Sequence, residues 1–197
     1  MHRFLGRCVI GAGALLIAST VSAQGTAGAT GRPFKLGGSL GASVPMGDFS
    51  DIADLGFHLG GLIEYKPSAS PVNLRGEITY SRNGLKEGFF EEIPGLDGDG
   101  DVSMINVIGN TLFSFGDAAS TARPYVIAGL GVYRMKFAEE VAGFDVSDTQ
   151  TKFGLNVGAG FTFNLSGFET FVEGRFHSVF ADGSNLNFVP LSFGFRF

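Results

Sequence analysis

Across 197 residues there is no tryptophan, one cysteine, and no uninterrupted apolar run approaching the roughly 20 residues that a membrane-spanning helix requires. The last of these absences excludes a helical membrane protein. The lone Cys8 precedes an N-terminal apolar stretch, which excludes a lipoprotein acceptor, since that cysteine would follow the stretch. Beyond residue 23 the chain has no cysteine, hence no disulfide, no thiol nucleophile and no cysteine-based zinc site. Basic residues are also scarce. Once Arg3 and Arg7 are set aside, 12 remain against 19 acidic ones, a net charge near −7 that disfavours nucleic acid as a partner.

What the chain has in excess is glycine (31) and phenylalanine (21), within a composition that is 44% apolar. Few soluble domains combine the two, whereas short twisted strands that close on themselves use both. Residues 1–23 are expected to form a secretory signal peptide. Arg3 and Arg7 supply the positive start, Val9 to Thr20 the apolar segment, and Val21-Ser22-Ala23 a small-residue cleavage site before Gln24. Residues 24–33 read as a flexible N-terminal segment and 34–197 as the folded domain.

That domain resolves into eight stretches with a period of two, separated by turn residues: 34–44, 56–66, 72–83, 102–115, 123–136, 151–164, 168–179 and 187–197. The ending "NFVPLSFGFRF" shows the pattern, with Val189, Leu191, Phe193, Phe195 and Phe197 on one face of a strand and Arg196 on the other. Phe57, Leu59, Ile63 and Tyr65 alternate in the same way with Glu64, and Leu74, Ile78 and Tyr80 with Arg75 and Glu77. In the fifth stretch Tyr125, Ile127, Gly129, Gly131 and Tyr133 are assigned to the apolar face, which places Arg134 with the charges.

A soluble barrel would turn the apolar face inward; a transmembrane barrel turns it toward lipid and keeps a polar interior. Aromatic residues cluster near strand ends on the apolar face, where a membrane-interface girdle would lie. Connections 66–71, 116–122 and 165–167 are short, while 45–55, 84–101 and 137–150 are long. The expected fold is therefore all-β, an eight-stranded antiparallel up-and-down barrel in an outer membrane, with both termini and the short turns periplasmic.

The segments "GASVPMGDFSD" (41–51), "RPYVIAGLGVYR" (123–134), "FVEGRFH" (171–177) and "FVPLSFGFRF" (188–197) resemble the small outer-membrane β-barrel family of opacity-protein-like and OmpA-type barrels. The resemblance covers essentially the whole chain after the signal peptide. It implies an integral protein of the cell outer membrane, surrounded by outer-membrane lipid. It also implies that Val189, Leu191, Phe193, Phe195 and Phe197 are the signal read by the barrel-assembly machinery. With the chain ending at Phe197, the peptidoglycan-binding domain that some OmpA-type proteins carry is not expected. Family roles span adhesion, serum resistance, structural support and modest pores, so function must be argued from sites.

An interior charge network is the first candidate site: Glu64, Arg75, Glu77, Arg134, Glu169, Glu173, Arg175 and Arg196, with Lys35 alongside. Eight strands enclose only enough room for side chains, and buried charges must pair. Such a network is either a salt-bridged plug or a gate that opens a narrow path by exchanging partners. The acidic outer connections are the second, either as solvated surface or as capture sites for a cationic partner or divalent ions. Within them Asp97, Asp99 and Asp101 open like a calcium loop, but Val102 and Ile108 stand where glycine and glutamate are needed, so no metal site is assigned. Phe89 and Phe90 mark a possible extracellular partner patch, or fold their loop onto the barrel mouth. Arg82 continues the lipid-facing parity toward headgroups. His177, Ser178 and Asp182 invite a hydrolytic reading, but adjacent residues on a strand point to opposite faces, so no catalytic residue and no cofactor is expected.

Overall fold

A computed structural model describes residues 33–67, 70–86, 100–117, 120–141, 144–165, 167–181 and 185–197, with the side chains of 138–147 left out. The signal-peptide and N-terminal-segment expectations, and Glu87, Phe89, Phe90, Asp97, Asp99 and Asp182, lie outside the described residues.

Eight antiparallel strands close into one barrel: β1 (Phe34–Met46), β2 (Gly56–Tyr65), β3 (Val72–Gly84), β4 (Gly100–Ser114), β5 (Ala122–Val141), β6 (Phe144–Leu165), β7 (Phe168–Val179) and β8 (Leu186–Arg196). Each strand pairs with its neighbours in sequence, and β1 pairs with β8 from Gly37↔Arg196 to Met46↔Asn187. Closure satisfies the backbone hydrogen bonds of every strand without an open edge in the hydrocarbon layer, which is what a spanning sheet needs. Among the described residues no helix is long and apolar enough to cross a membrane. The turn between β6 and β7 is tight. Leu165↔Phe168 is the last pair of its hairpin, and Gly167 takes a φ of 97°, a conformation L side chains rarely adopt.

On seven strands the alternating apolar residues face outward as the pattern requires. Leu40, Phe153, Val157 and Ile78 are among the many large apolar side chains more than half exposed. Strand β5 is turned the other way. Val126, Leu130 and Val132 face out, while Tyr125, Ile127, Tyr133 and Met135 are almost wholly buried in the lumen. Arg134 is therefore exposed on the outer wall and does not belong with the interior charges. Both faces of β5 are apolar, so its own alternation leaves the facing undetermined. The neighbours decide: Asn110 pairs with Gly129, and Met104 with Met135.

Two long connections also contain regular structure. The segment 137–150, expected as a loop, continues β5 and β6 into one hairpin paired as far as Val141↔Phe144. Since β7 pairs with β6 only from Gly154 onward, this hairpin rises above the β7 and β8 side of the barrel. The segment after β1 forms a five-residue helix, α1 (Asp48–Ile52), that turns Phe49 into the lumen. It is held there by Asp54 N–H donating to the Gly84 carbonyl (2.8 Å), by Lys86 N–H donating to the Ile52 carbonyl (3.0 Å), and by the Asn83 amide donating to the Ser43 and Asp54 carbonyls.

Candidate functional site

The lumen has two layers. Toward the short-turn end, Glu64 on β2, Arg75 and Glu77 on β3, Glu169, Glu173 and Arg175 on β7, and Arg196 on β8 converge. Cross-strand register sets Glu64 directly opposite Arg75 and Glu169 directly opposite Arg196. Arg75 lies at the centre. Its Nε meets Glu64 Oε2 at 3.2 Å, and its Nη1 meets Glu77 Oε1 at 3.3 Å and, across the lumen, Glu173 Oε2 at 2.9 Å. Arg175 reaches Glu77 Oε2 at 2.6 Å and lies 2.8 Å from Glu173 Oε1, the latter a close ion contact without hydrogen-bond alignment. Arg196 bonds Glu64, Glu169 (2.7 Å) and the Thr162 hydroxyl (2.8 Å).

Neutral donors complete the carboxylates: Asn73 to Glu64 (2.9 Å), Asn110 to Glu77 (2.9 Å), and the Tyr125 hydroxyl to Glu173 (2.7 Å). The Arg75 guanidinium also lies 4.9 Å from the centroid of the Phe171 ring, and that of Arg196 5.6 Å from it, so each gains ring-face attraction in place of solvent. Glycine makes room for these rings. A Cβ on Gly194 would fall 2.2 Å from Phe171, and one on Gly160 2.6 Å from the Tyr125 hydroxyl. Three guanidinium groups thus face Glu64, Glu77 and Glu173, while Glu169 at the rim is shared with Lys35 at 2.6 Å. Burial of isolated ions costs several kcal/mol each, a penalty this geometry offsets by giving each carboxylate several donors.

Toward the opposite end the lumen is apolar. Phe49 from α1 packs with Val102, Met104, Tyr133, Met135, Val179 and Phe188 into a buried cluster that caps the barrel. Between the layers, Tyr133 and His177 share a 2.8 Å hydrogen bond, His177 stacks on Phe188 at 4.9 Å, and His58 bonds the Ser192 hydroxyl at 3.0 Å. His177 is therefore engaged inside, while Ser178 lies half-exposed on the other face.

Of the eight network residues expected from sequence, the structure brings together seven and leaves Arg134 outside. Asn73, Tyr125, Thr162 and Phe171 belong to the site although the sequence pattern does not single them out. Asn73 shares the parity of Arg75, which is a usable signal, whereas the expectation of a polar interior puts Tyr125 on the wrong face. Asp101 is on the surface, paired with Arg82 at 2.8 Å. Leu191, Phe193, Phe195 and Phe197 face outward on the closing strand, with Val189 half-buried. Asp48, Asp51, Asp54 and Asp148 are exposed at the outer end. Among the described residues no cluster of histidine and acidic side chains has the spacing of a metal site.

The sequence matches the model of the outer membrane protein beta-barrel domain over residues 13–197. The chain belongs to this family. It is thus an integral outer-membrane barrel, and its apolar outer wall faces lipid. Solved structures with the same fold include Neisserial surface protein A, at 19% identity and a TM-score of 0.60, covering 84% of this chain and 96% of that one. A major outer membrane protein from Thermus thermophilus matches at 11% identity and a TM-score of 0.59, covering 84% and 99%. Ail, the attachment invasion locus protein of Yersinia pestis, matches at 21% identity and a TM-score of 0.50, covering 84% and 100%. A search of curated proteins finds no match.

Proposed function

We propose that this protein is a sealed, non-enzymatic envelope barrel that acts at its outer face, combining support of the outer membrane with attachment. The observation that carries this reading is that buried side chains fill the lumen at two levels, the ion-paired layer around Arg75 and the apolar cluster around Phe49. A barrel filled at two levels has its working surface outside. There the β5–β6 hairpin rises above its neighbours, and among the described residues no strand pairs with β6 ahead of Gly154 on the β7 side. An unpaired strand edge outside the membrane is a template for an extended peptide. The exposed carboxylates of Asp48, Asp51, Asp54 and Asp148 favour a cationic partner. The attachment in the name of the Ail protein is in keeping with this reading. The outward aromatics of β8 are assigned to delivery, as the segment that the barrel-assembly machinery takes up.

The test is a planar-bilayer recording of residues 24–197, beside adherence of cells expressing the chain with residues 138–147 replaced by Asn-Gly. A silent bilayer and lost adherence are expected, with heat-modifiable gel mobility showing the barrel folded. Discrete conductance steps that change in Glu173→Gln or Arg175→Gln would make the protein a narrow channel instead. Unchanged adherence would remove the hairpin from the function.

A further inference from the structure

The short-turn rim holds a cavity of about 440 Å³, lined by Lys66, Ser70, Asn73, Ser114, Gly116 and Arg123. It lies within the size range of small-ligand sites. Its chemistry is one-sided. Lys66 and Arg123 line it, with two hydroxyls and an amide, and among the described residues no carboxylate is part of the lining. Nearby acids are engaged elsewhere: Glu169 by Lys35 and Arg196, Glu64 by Arg75 and Arg196, while Asp117 on the adjoining turn makes contacts of its own.

The two cations, by contrast, are underused. Among the described residues Lys66 has no ion-pair partner, and Arg123, about nine-tenths buried, reaches only Glu169, at 3.7 Å. Its Nε is buried and has no hydrogen-bond partner. The Ser70 hydroxyl accepts from Val72 N–H at 3.1 Å, which leaves its proton free to donate. Burial, followed by the neighbouring Arg123 and Lys35 charges, pushes the Lys66 ammonium below the ordinary lysine range. A guanidinium held in a pocket with idle donors is built for a planar or tetrahedral oxyanion.

We propose that this cavity binds a phosphate group, clamped by Lys66 and Arg123 and oriented by the Ser70 and Ser114 hydroxyls. The phosphate can be free in the periplasm or carried by a phospholipid headgroup, because the lining residues Lys66, Ser114 and Gly116 directly adjoin the exposed aromatics Tyr65 and Phe115. The inference does not depend on the role proposed for the outer face.

The test uses the chain from Gln24 refolded in phosphate-free maltoside micelles, with amide chemical shifts followed while inorganic phosphate is added at constant ionic strength. In a second arm, phosphatidylglycerol is added to the micelles, with diacylglycerol as the phosphate-free control. Saturable shifts clustered at Lys66, Ser70, Ser114, Gly116 and Arg123 are expected in at least one arm. Lys66→Gln, whose side chain makes no ion pair in the fold, should weaken binding about tenfold, the worth of one charge-assisted hydrogen bond. Shifts with inorganic phosphate alone assign a soluble anion, and shifts with phosphatidylglycerol assign a lipid headgroup. No saturable shift in either arm, shifts spread evenly over exposed lysines, or full affinity in Lys66→Gln would overturn the proposal.

Discussion

The two layers of the lumen solve one problem by opposite means. Around Arg75 the space is filled by ions that tolerate burial only because each is held by several partners, so the loss of one strands the rest. Around Phe49 it is filled by apolar side chains whose contributions are local and roughly proportional to the area they bury. The ionic layer is bonded across the barrel, from β3 to β7, and therefore ties together strands that do not neighbour one another. The apolar cap joins Phe49 of α1 to side chains of β4, β5, β7 and β8, and α1 can settle when Phe49 is trimmed. Both layers span the barrel, the ionic one through directed bonds and the apolar one through packing, with the Tyr133–His177 hydrogen bond between them.

Arg75→Met should break the contrast most sharply. It removes a common partner of Glu64, Glu77 and Glu173, and should cost about 3–5 kcal/mol, as expected when one partner of a buried ion pair is lost. Urea titration of the folded barrel in vesicles measures it; a loss within about 1 kcal/mol would mean the ions are individually hydrated and not a cooperative layer. Phe49→Ala should cost less, about 3 kcal/mol, toward the low end for a buried phenylalanine because α1 can relax onto the space. The same variant should leave a planar bilayer silent, since the ionic layer beneath is intact. Conductance in Phe49→Ala would show that the cap alone seals the barrel. The smallest effect belongs to Arg134→Gln, expected within about 0.5 kcal/mol because the residue is exposed on the outer wall. A loss of several kcal/mol there would return Arg134 to the interior and reverse the facing of β5.

How far the sequence discloses this arrangement depends on how unequal the two faces of a strand are. Leu74, Ile78 and Tyr80 against Arg75 and Glu77 leave no ambiguity, and such contrasts read correctly on seven strands. Strand β5 offers Val126, Leu130 and Val132 against Tyr125, Ile127 and Tyr133, and the expectation of a polar interior then selects the wrong face. The interior is polar only through part of its depth, and most of the inward residues of β5 contribute to apolar packing. Acidic residues at 139, 140, 145 and 148 suggest a loop, yet cross-strand pairing carries both strands through them. The α1 segment is too short and too acidic to announce itself, and Phe49 gains its burial only when the barrel mouth exists. The Arg75 contact with Glu173 spans 98 residues, a separation at which no local pattern operates.

The seam between β1 and β8 gives the ion layer a second significance, in time. Pairing of Gly37 with Arg196 joins residues almost the whole domain apart, so closure requires the largest loop the chain can form and is the slowest kind of contact to find. Arg196 arrives with that last strand and completes the shells of Glu64 and Glu169. Until β8 docks, two carboxylates are short of a partner in an interior that penalises them; once it docks, the deficit vanishes. The ring of charges thus favours complete barrels over partly assembled ones, acting as a checkpoint on its own assembly.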